Sequence, residues 1–211
     1  MSSQLLIQLV RQQLEEDLLE RVREAEQEYR RVYAISGSRS GPFERYNRLL
    51  GIFTELVVSV NPSWRLMLNT FLETAIDLAG ADKGAILVPD RAPGSLRFEA
   101  QRGFEPSFVD SFAKCYEGTS ACRMAFETSR RVVVEDITES PIFAGTPSLK
   151  VMLDSGLRAL QSTPLVSRNG HTLGILCTHY CKATHLSAHE LEMLDRVSSQ
   201  TALFIEAYCA H

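Results

Sequence analysis

The 211-residue sequence predicts an α+β domain, a central and mostly antiparallel sheet covered by helices, with a long amphipathic helix in front of it. Three observations lead there. Apolar residues recur at helical steps of three or four at both ends of the chain. Between residues 85 and 181 the period changes to two. Within that stretch, Asn169-Gly170 separates two apolar runs and signals a hairpin. The element order fits a parallel, doubly wound sheet less well.

From Leu5 to Tyr33, Ile7, Val10, Leu14, Leu18, Val22, Ala25, Tyr29 and Val32 form one narrow apolar seam on a charged helix. Asp17 with Arg21 and Glu26 with Arg30 stand at i,i+4 and support it. So narrow a seam suits a coiled-coil partner, and a homodimer is the simplest way to bury it. Residues 1–36 are therefore read as this helix, 37–42 as a linker within the helix-breaking run SGSRSGP, and 43–211 as the globular domain. A helix is expected over Phe43 to Val60, and Asn61-Pro62 starts another that ends at Gly80. Ala85–Val88 and Leu96–Ala100 read as strands around the turn-rich PDRAPGS. Short helices follow at Pro106–Lys114 and Ser120–Thr128, then a strand at Val132–Glu135 and a helix at Ser148–Asp154 closed by Gly156. Leu160–Ser167 and Leu173–Cys181 form the hairpin. Ser187 and Glu190 make a capping box for a last helix reaching Tyr208.

Composition narrows the function. With 22 basic and 26 acidic residues the net charge is −4, so there is no positive field to attract nucleic acid or an acidic membrane surface. The apolar cluster Leu5–Val10 is too short to span a bilayer and lacks a basic flank. Five cysteines without a CxxC pair fit a reduced cytoplasm better than a disulfide framework.

Several ordered motifs carry a resemblance. GTSACRMAF at 118–126, VVVEDI at 132–137, PIF at 141–143, GLRA at 156–159, QSTPL at 161–165 and LGILCTHY at 173–180 together resemble a GAF domain. The likeness is to those of bacterial sensor histidine kinases and related two-component proteins, and it spans about Phe43 to Tyr208. It implies a GAF/PAS-like sheet with the first and last helices on one face and a ligand pocket, or its vestige, on the other. It also implies a sensor that binds a small molecule or protein partner and signals through dimeric terminal helices. Arg123 stands where such sequences often have glycine. The Cys-His dipeptide of bilin-binding relatives and the Asn-Lys…Phe…Asp-Glu pattern of cyclic-nucleotide binders are both missing, so no cofactor is assigned. The sequence contains no kinase, cyclase or phosphodiesterase motif, so an output signalling domain is expected to be either absent or supplied by another protein.

The expected ligand site lies between the sheet and the segment Cys122–Leu153, where Met124, Phe126, Phe143, Met152 and Leu153 offer adaptable apolar side chains. Phe98, Gln161 and Thr163 are expected on its floor, with Arg102 and Gln161 as polar contacts. Each of these has a plainer reading, as core filling or as a solvated arginine. Cys177, His179 and Cys181 share one strand face and would offer zinc ligands, but side chains along one strand diverge instead of closing a tetrahedron. They are read as two small core hydrophobes and a hydrogen-bonded histidine, with no metal. Neither a Ser/His/Asp ordering nor a phosphate loop occurs, and no catalytic residue is assigned. The alternatives kept are a redox-active module built on Cys115 and Cys122, either resembling methionine sulfoxide reductases of this fold or acting as a thiol sensor, and a ligand-free dimerisation module.

Overall fold

In the computed structural model, residues 64–90, 95–115 and 120–209 are described, without the side chains of 113–115. The expected helices at Leu5–Tyr33 and Phe43–Val60, the linker and the Asn61-Pro62 start signal lie outside these residues. Helix α1, Trp64–Ala79, buries Met67, Leu68, Phe71, Leu72, Ala75 and Ile76 on one face. It ends as its sequence signals: Gly80 takes a φ of 58° and Ala81 N–H donates to the Ile76 carbonyl at 2.9 Å.

Strands β1 (Lys83–Pro89), β2 (Leu96–Arg102), β3 (Val132–Val134), β4 (Ala159–Val166) and β5 (Thr172–Tyr180) form one fully antiparallel sheet. Its order is β2-β1-β5-β4-β3. β5 is central and almost wholly buried, which explains its continuous apolar run LGILC. The hairpin signalled by Asn169-Gly170 is present: residues 167–171 join the strands, and Ser167 N–H donates to the His171 carbonyl at 2.8 Å to close a tight loop of residues 168–170. Gly170 N–H donates to Ser167 at 2.9 Å and Gly170 has a φ of 81°, the left-handed residue that such loops place before the returning strand.

Helix α5 (Ala188–Cys209) starts at the capping box: Ser187 N–H donates to Glu190 Oε2 at 2.7 Å and Glu190 N–H to Ser187 Oγ at 3.3 Å. It lies beside α1 on one face of the sheet. Trp64 stacks on Phe204 at 5.8 Å and meets Tyr208 at a tilt at 4.9 Å, and Phe71 meets Phe204 at 5.9 Å. Arg131, just before β3, fastens this layer: Nε donates to Thr163 Oγ1 at 3.0 Å and Nη2 to the Leu191 carbonyl at 2.9 Å, beside Asp195.

The opposite face carries α2 (Pro106–Cys115), α3 (Ala121–Thr128) and α4 (Pro147–Asp154). Ala85, Leu87, Leu160, Ile175 and Cys177 from the strands pack there against Phe108, Ala121, Cys122, Ala125, Phe143 and Met152. Sequence and structure thus agree on helices covering both faces of an antiparallel sheet.

Candidate functional site

Within Ser120–Leu157, α3, α4 and the irregular stretch between β3 and α4 form a cover over the sheet. Ser120 caps α3 by accepting from Arg123 N–H at 3.2 Å. Pro147 opens α4 at the position where its missing N–H costs nothing. Between cover and sheet lies a cavity of about 20 Å³, room for one water molecule. Its walls are Phe112, Ser120, Ala121, Cys122, Phe143, Ser148, Val151, Met152, Leu160 and His179.

Of the residues expected at a ligand site, Cys122, Phe143 and Met152 meet at this cavity. Phe98 and Phe126 stand one shell out: Phe98 meets Phe112 at 5.3 Å and Phe104 at 6.2 Å, and both residues pack against the same core. Met124 is half-buried and does not line the cavity, and Leu153, 40% exposed, faces away from it.

Three expected contacts lie on the other face of the sheet. Strand β4 turns Leu160 and Ser162 toward the cavity, so Gln161 and Thr163 point at the layer of α1 and α5. There Thr163 donates to Gln161 Oε1 at 2.6 Å while accepting from Arg131. The run Gln161-Ser162-Thr163 is polar on both faces, so its alternation gave no phase. Arg102 is redirected by a bulge. The pairing passes from Ile86↔Ala100 to Leu87↔Phe98, which leaves Glu99 extra and reverses the face of everything after it. Phe98 therefore faces the cavity side, whereas Arg102 pairs with Glu73 and Asp77 of α1.

His179, read from sequence as a hydrogen-bonded strand-end residue, is buried with no partner for Nδ1 among the described residues. Its ring stands edge-on to Phe104 at 5.0 Å, and burial, with Lys83 nearby, pushes its pKa down to about 3. It is therefore a neutral imidazole at the cavity. Strand phase was its only signal, because residues 175, 177 and 179 alternate onto one face. Cys181 lies past the end of β5 and is exposed, while Cys177 is buried, and no three His, Cys, Asp or Glu side chains converge as metal ligands among the described residues. The side chain of Cys115 lies outside the described residues.

The base of the cover is tied by one ion pair. Asp136 Oδ2 accepts from Arg158 at 2.6 Å, and Oδ1 accepts from Thr138 N–H at 2.9 Å and its hydroxyl at 2.7 Å. These bonds, Arg158 first, hold the Asp136 carboxyl down to about 2. A depressed carboxylate adds stability above its unfolded pKa of about 4 and loses it as pH falls through its folded value. Stability is therefore expected to decline between about pH 4 and 2 partly through Asp136, and Asp136→Asn should remove that component. Urea midpoints measured across this range for both proteins check it; identical slopes would show that the pair contributes nothing.

A family profile described as "GAF domain" matches residues 63–206. No curated protein matches the sequence. Among solved structures, the chain is similar to a domain of a putative two-component sensor histidine kinase from Sinorhizobium meliloti, with 20% identity and a TM-score of 0.58 over 70% of this chain and 94% of that one. It is also similar to the GAF domain of an Acinetobacter phosphoenolpyruvate-protein phosphotransferase, with 14% identity and a TM-score of 0.61 over 82% and 97%. A third similar structure is the free methionine-R-sulfoxide reductase of Neisseria meningitidis in complex with its substrate, at 18% identity and a TM-score of 0.58 over 82% and 95%. At such identities the structural likeness speaks for the fold alone, while the profile covers most of the chain: the chain belongs to the GAF domain family, sensory modules of signalling proteins.

Proposed function

We infer that this GAF domain senses a small organic molecule held between the sheet and the segment Ser120–Leu157, and relays its presence through terminal helices of a homodimer to an output domain or protein. The observation that carries the reading is the division of labour across the sheet. One face holds an apolar cavity with Ser120, Ser148 and His179 converging on it, and the other seats α1 and α5 side by side. The cavity holds only one water as it stands. A larger ligand must displace α4, whose short length and half-exposed surface make it the inexpensive element to move. A shift of the cover reaches α5 through β4 and β5, which touch both layers.

No catalytic role is part of the proposal, and a cytoplasmic location accompanies it; no described helix is long and apolar enough to cross a membrane. Native mass spectrometry of freshly purified protein tests the reading. The expected spectrum shows a dimer carrying a noncovalent organic adduct. Ser148→Phe, whose ring overfills the cavity from its half-buried rim, should abolish the adduct and destabilise the domain by about 1–3 kcal/mol. Bare monomer, together with no thermal shift from any member of a metabolite panel, would overturn it.

A further inference from the structure

Two thiols touch inside the domain. Cys122 Sγ lies 3.3 Å from Cys177 Sγ, and each lies 3.5 Å from the Ser162 hydroxyl. Cys122 comes from the first turn of α3 and Cys177 from the middle of β5, 55 residues later. Buried cysteines commonly serve as small hydrophobes, and either of these alone would be read so. Their contact changes the reading, because a disulfide needs about 2.05 Å and the sulfurs need approach by little more than an ångström.

The cavity adds a second, independent observation. Cys122 forms part of its wall, together with Ser120 and His179, whereas Cys177 does not. The space accommodates one water-sized molecule, and hydrogen peroxide is little larger than water. His179 Nδ1, unpartnered among the described residues, offers a polar contact at the same wall.

The two thiols also differ in reactivity. The hydrogen bond from Cys177, aided by that from Ser162, draws the pKa of Cys122 below the usual thiol value against the effect of burial. Burial first, then the neighbouring Cys122, raises that of Cys177 well above it. One sulfur is thus suited to attack and the other to wait as a thiol.

We propose that Cys122 and Cys177 form a peroxide-responsive dithiol, in which a hydroperoxide entering the cavity oxidises Cys122 and Cys177 then closes an intramolecular disulfide. In the first step Cys122 sulfur attacks one peroxide oxygen. The S–O bond forms, the O–O bond breaks, and the leaving hydroxide takes the Cys122 proton to become water. In the second step Cys177 sulfur attacks the sulfenic sulfur. The S–S bond forms, the S–O bond breaks, and the leaving hydroxide departs as water with the Cys177 proton. Two thiols are oxidised by two electrons and one hydrogen peroxide is reduced to two waters. The product pins α3 to the central strand and fixes the cover in its closed position. This inference does not depend on an organic ligand, so either reading can fail without the other.

The experiment maps thiols in the full chain. Reduced protein is exposed to hydrogen peroxide, quenched with catalase, unfolded in an alkylating reagent and digested without reduction. Cleavage after Glu117 separates Cys115 from Cys122, and cleavage after Tyr180 separates Cys177 from Cys181. The expected result is a Cys122–Cys177 linked peptide pair, a chain lighter by two hydrogens, and full reversal by dithiothreitol. Cys177→Ser should stop at a Cys122 sulfenic acid that dimedone captures, and Cys122→Ser should leave Cys177 reduced. The wild-type map decides even if a variant misfolds. If Cys122 and Cys177 stay alkylatable at peroxide doses that oxidise exposed Cys181 or Cys209, or if Cys122 links to any other cysteine, the proposal is overturned.

Discussion

Replacing Gly174 by alanine is expected to destabilise the domain by about 3 kcal/mol, the upper end of ordinary overpacking. Gly174 lies in central strand β5, opposite Leu165 of β4. A Cβ there would stand 2.4 Å from the Leu87 carbonyl oxygen of β1, with Leu165 and Val88 side-chain carbons at 3.4 Å. The obstacle is backbone in the middle of a five-stranded sheet, so no side chain can rotate away. Relief requires β1 to draw off from β5 and weaken the ladder that joins the two halves of the sheet. Urea unfolding measures it. A change below about 0.5 kcal/mol, the range of an ordinary surface substitution, would mean that the strands part without cost.

Phe143→Ala is expected to cost about 4 kcal/mol, the sum of lost apolar transfer and the void left behind. Phe143 is buried at 3% exposure and lines the cavity, yet it sits in the irregular stretch between β3 and α4. Between Ser140 and Thr146 that stretch has only turn bonds, among them Phe143 N–H to the Ser140 carbonyl at 3.1 Å and Thr146 N–H to the Phe143 carbonyl at 3.1 Å. Its position therefore depends on the aromatic ring more than on backbone pairing. Hydrogen exchange should show the loss concentrated in residues 136–157, with the strands of the sheet protected up to the lower global stability. The enlarged cavity should also take up a small apolar probe such as benzene, which wild type has no room for. Uniform loss of protection over the whole sheet, with no probe binding, would show that the cover is not a separate unit.

These cases also show how far the residues alone could be read. Element type was legible wherever local chemistry fixes it. Gly80 ended α1, Ser187 and Glu190 began α5, and Gly170 closed the hairpin, each because a backbone group needs a partner or a left-handed residue within a few positions. The cover over Cys122, Phe143 and Met152 was legible because their apolar character survives any detail of pairing. The faces of Arg102, Gln161 and Thr163 were not. A strand's phase is set by its neighbours' register, and a single extra residue at Glu99 moved Arg102 to the opposite layer.

By itself, then, the sequence determined the α+β class, the type and order of the described elements and the family, since these rest on caps, turns, periodicity and ordered motifs within short stretches of chain. Only the tertiary structure decided that the cavity is as small as one water, that His179 belongs to it, and that Cys122 meets Cys177. Those outcomes depend on which faces of α3, β4 and β5 meet across 40 to 55 residues, and on how tightly they close. Packing at that range is fixed by the simultaneous fit of many side chains, which no local pattern records.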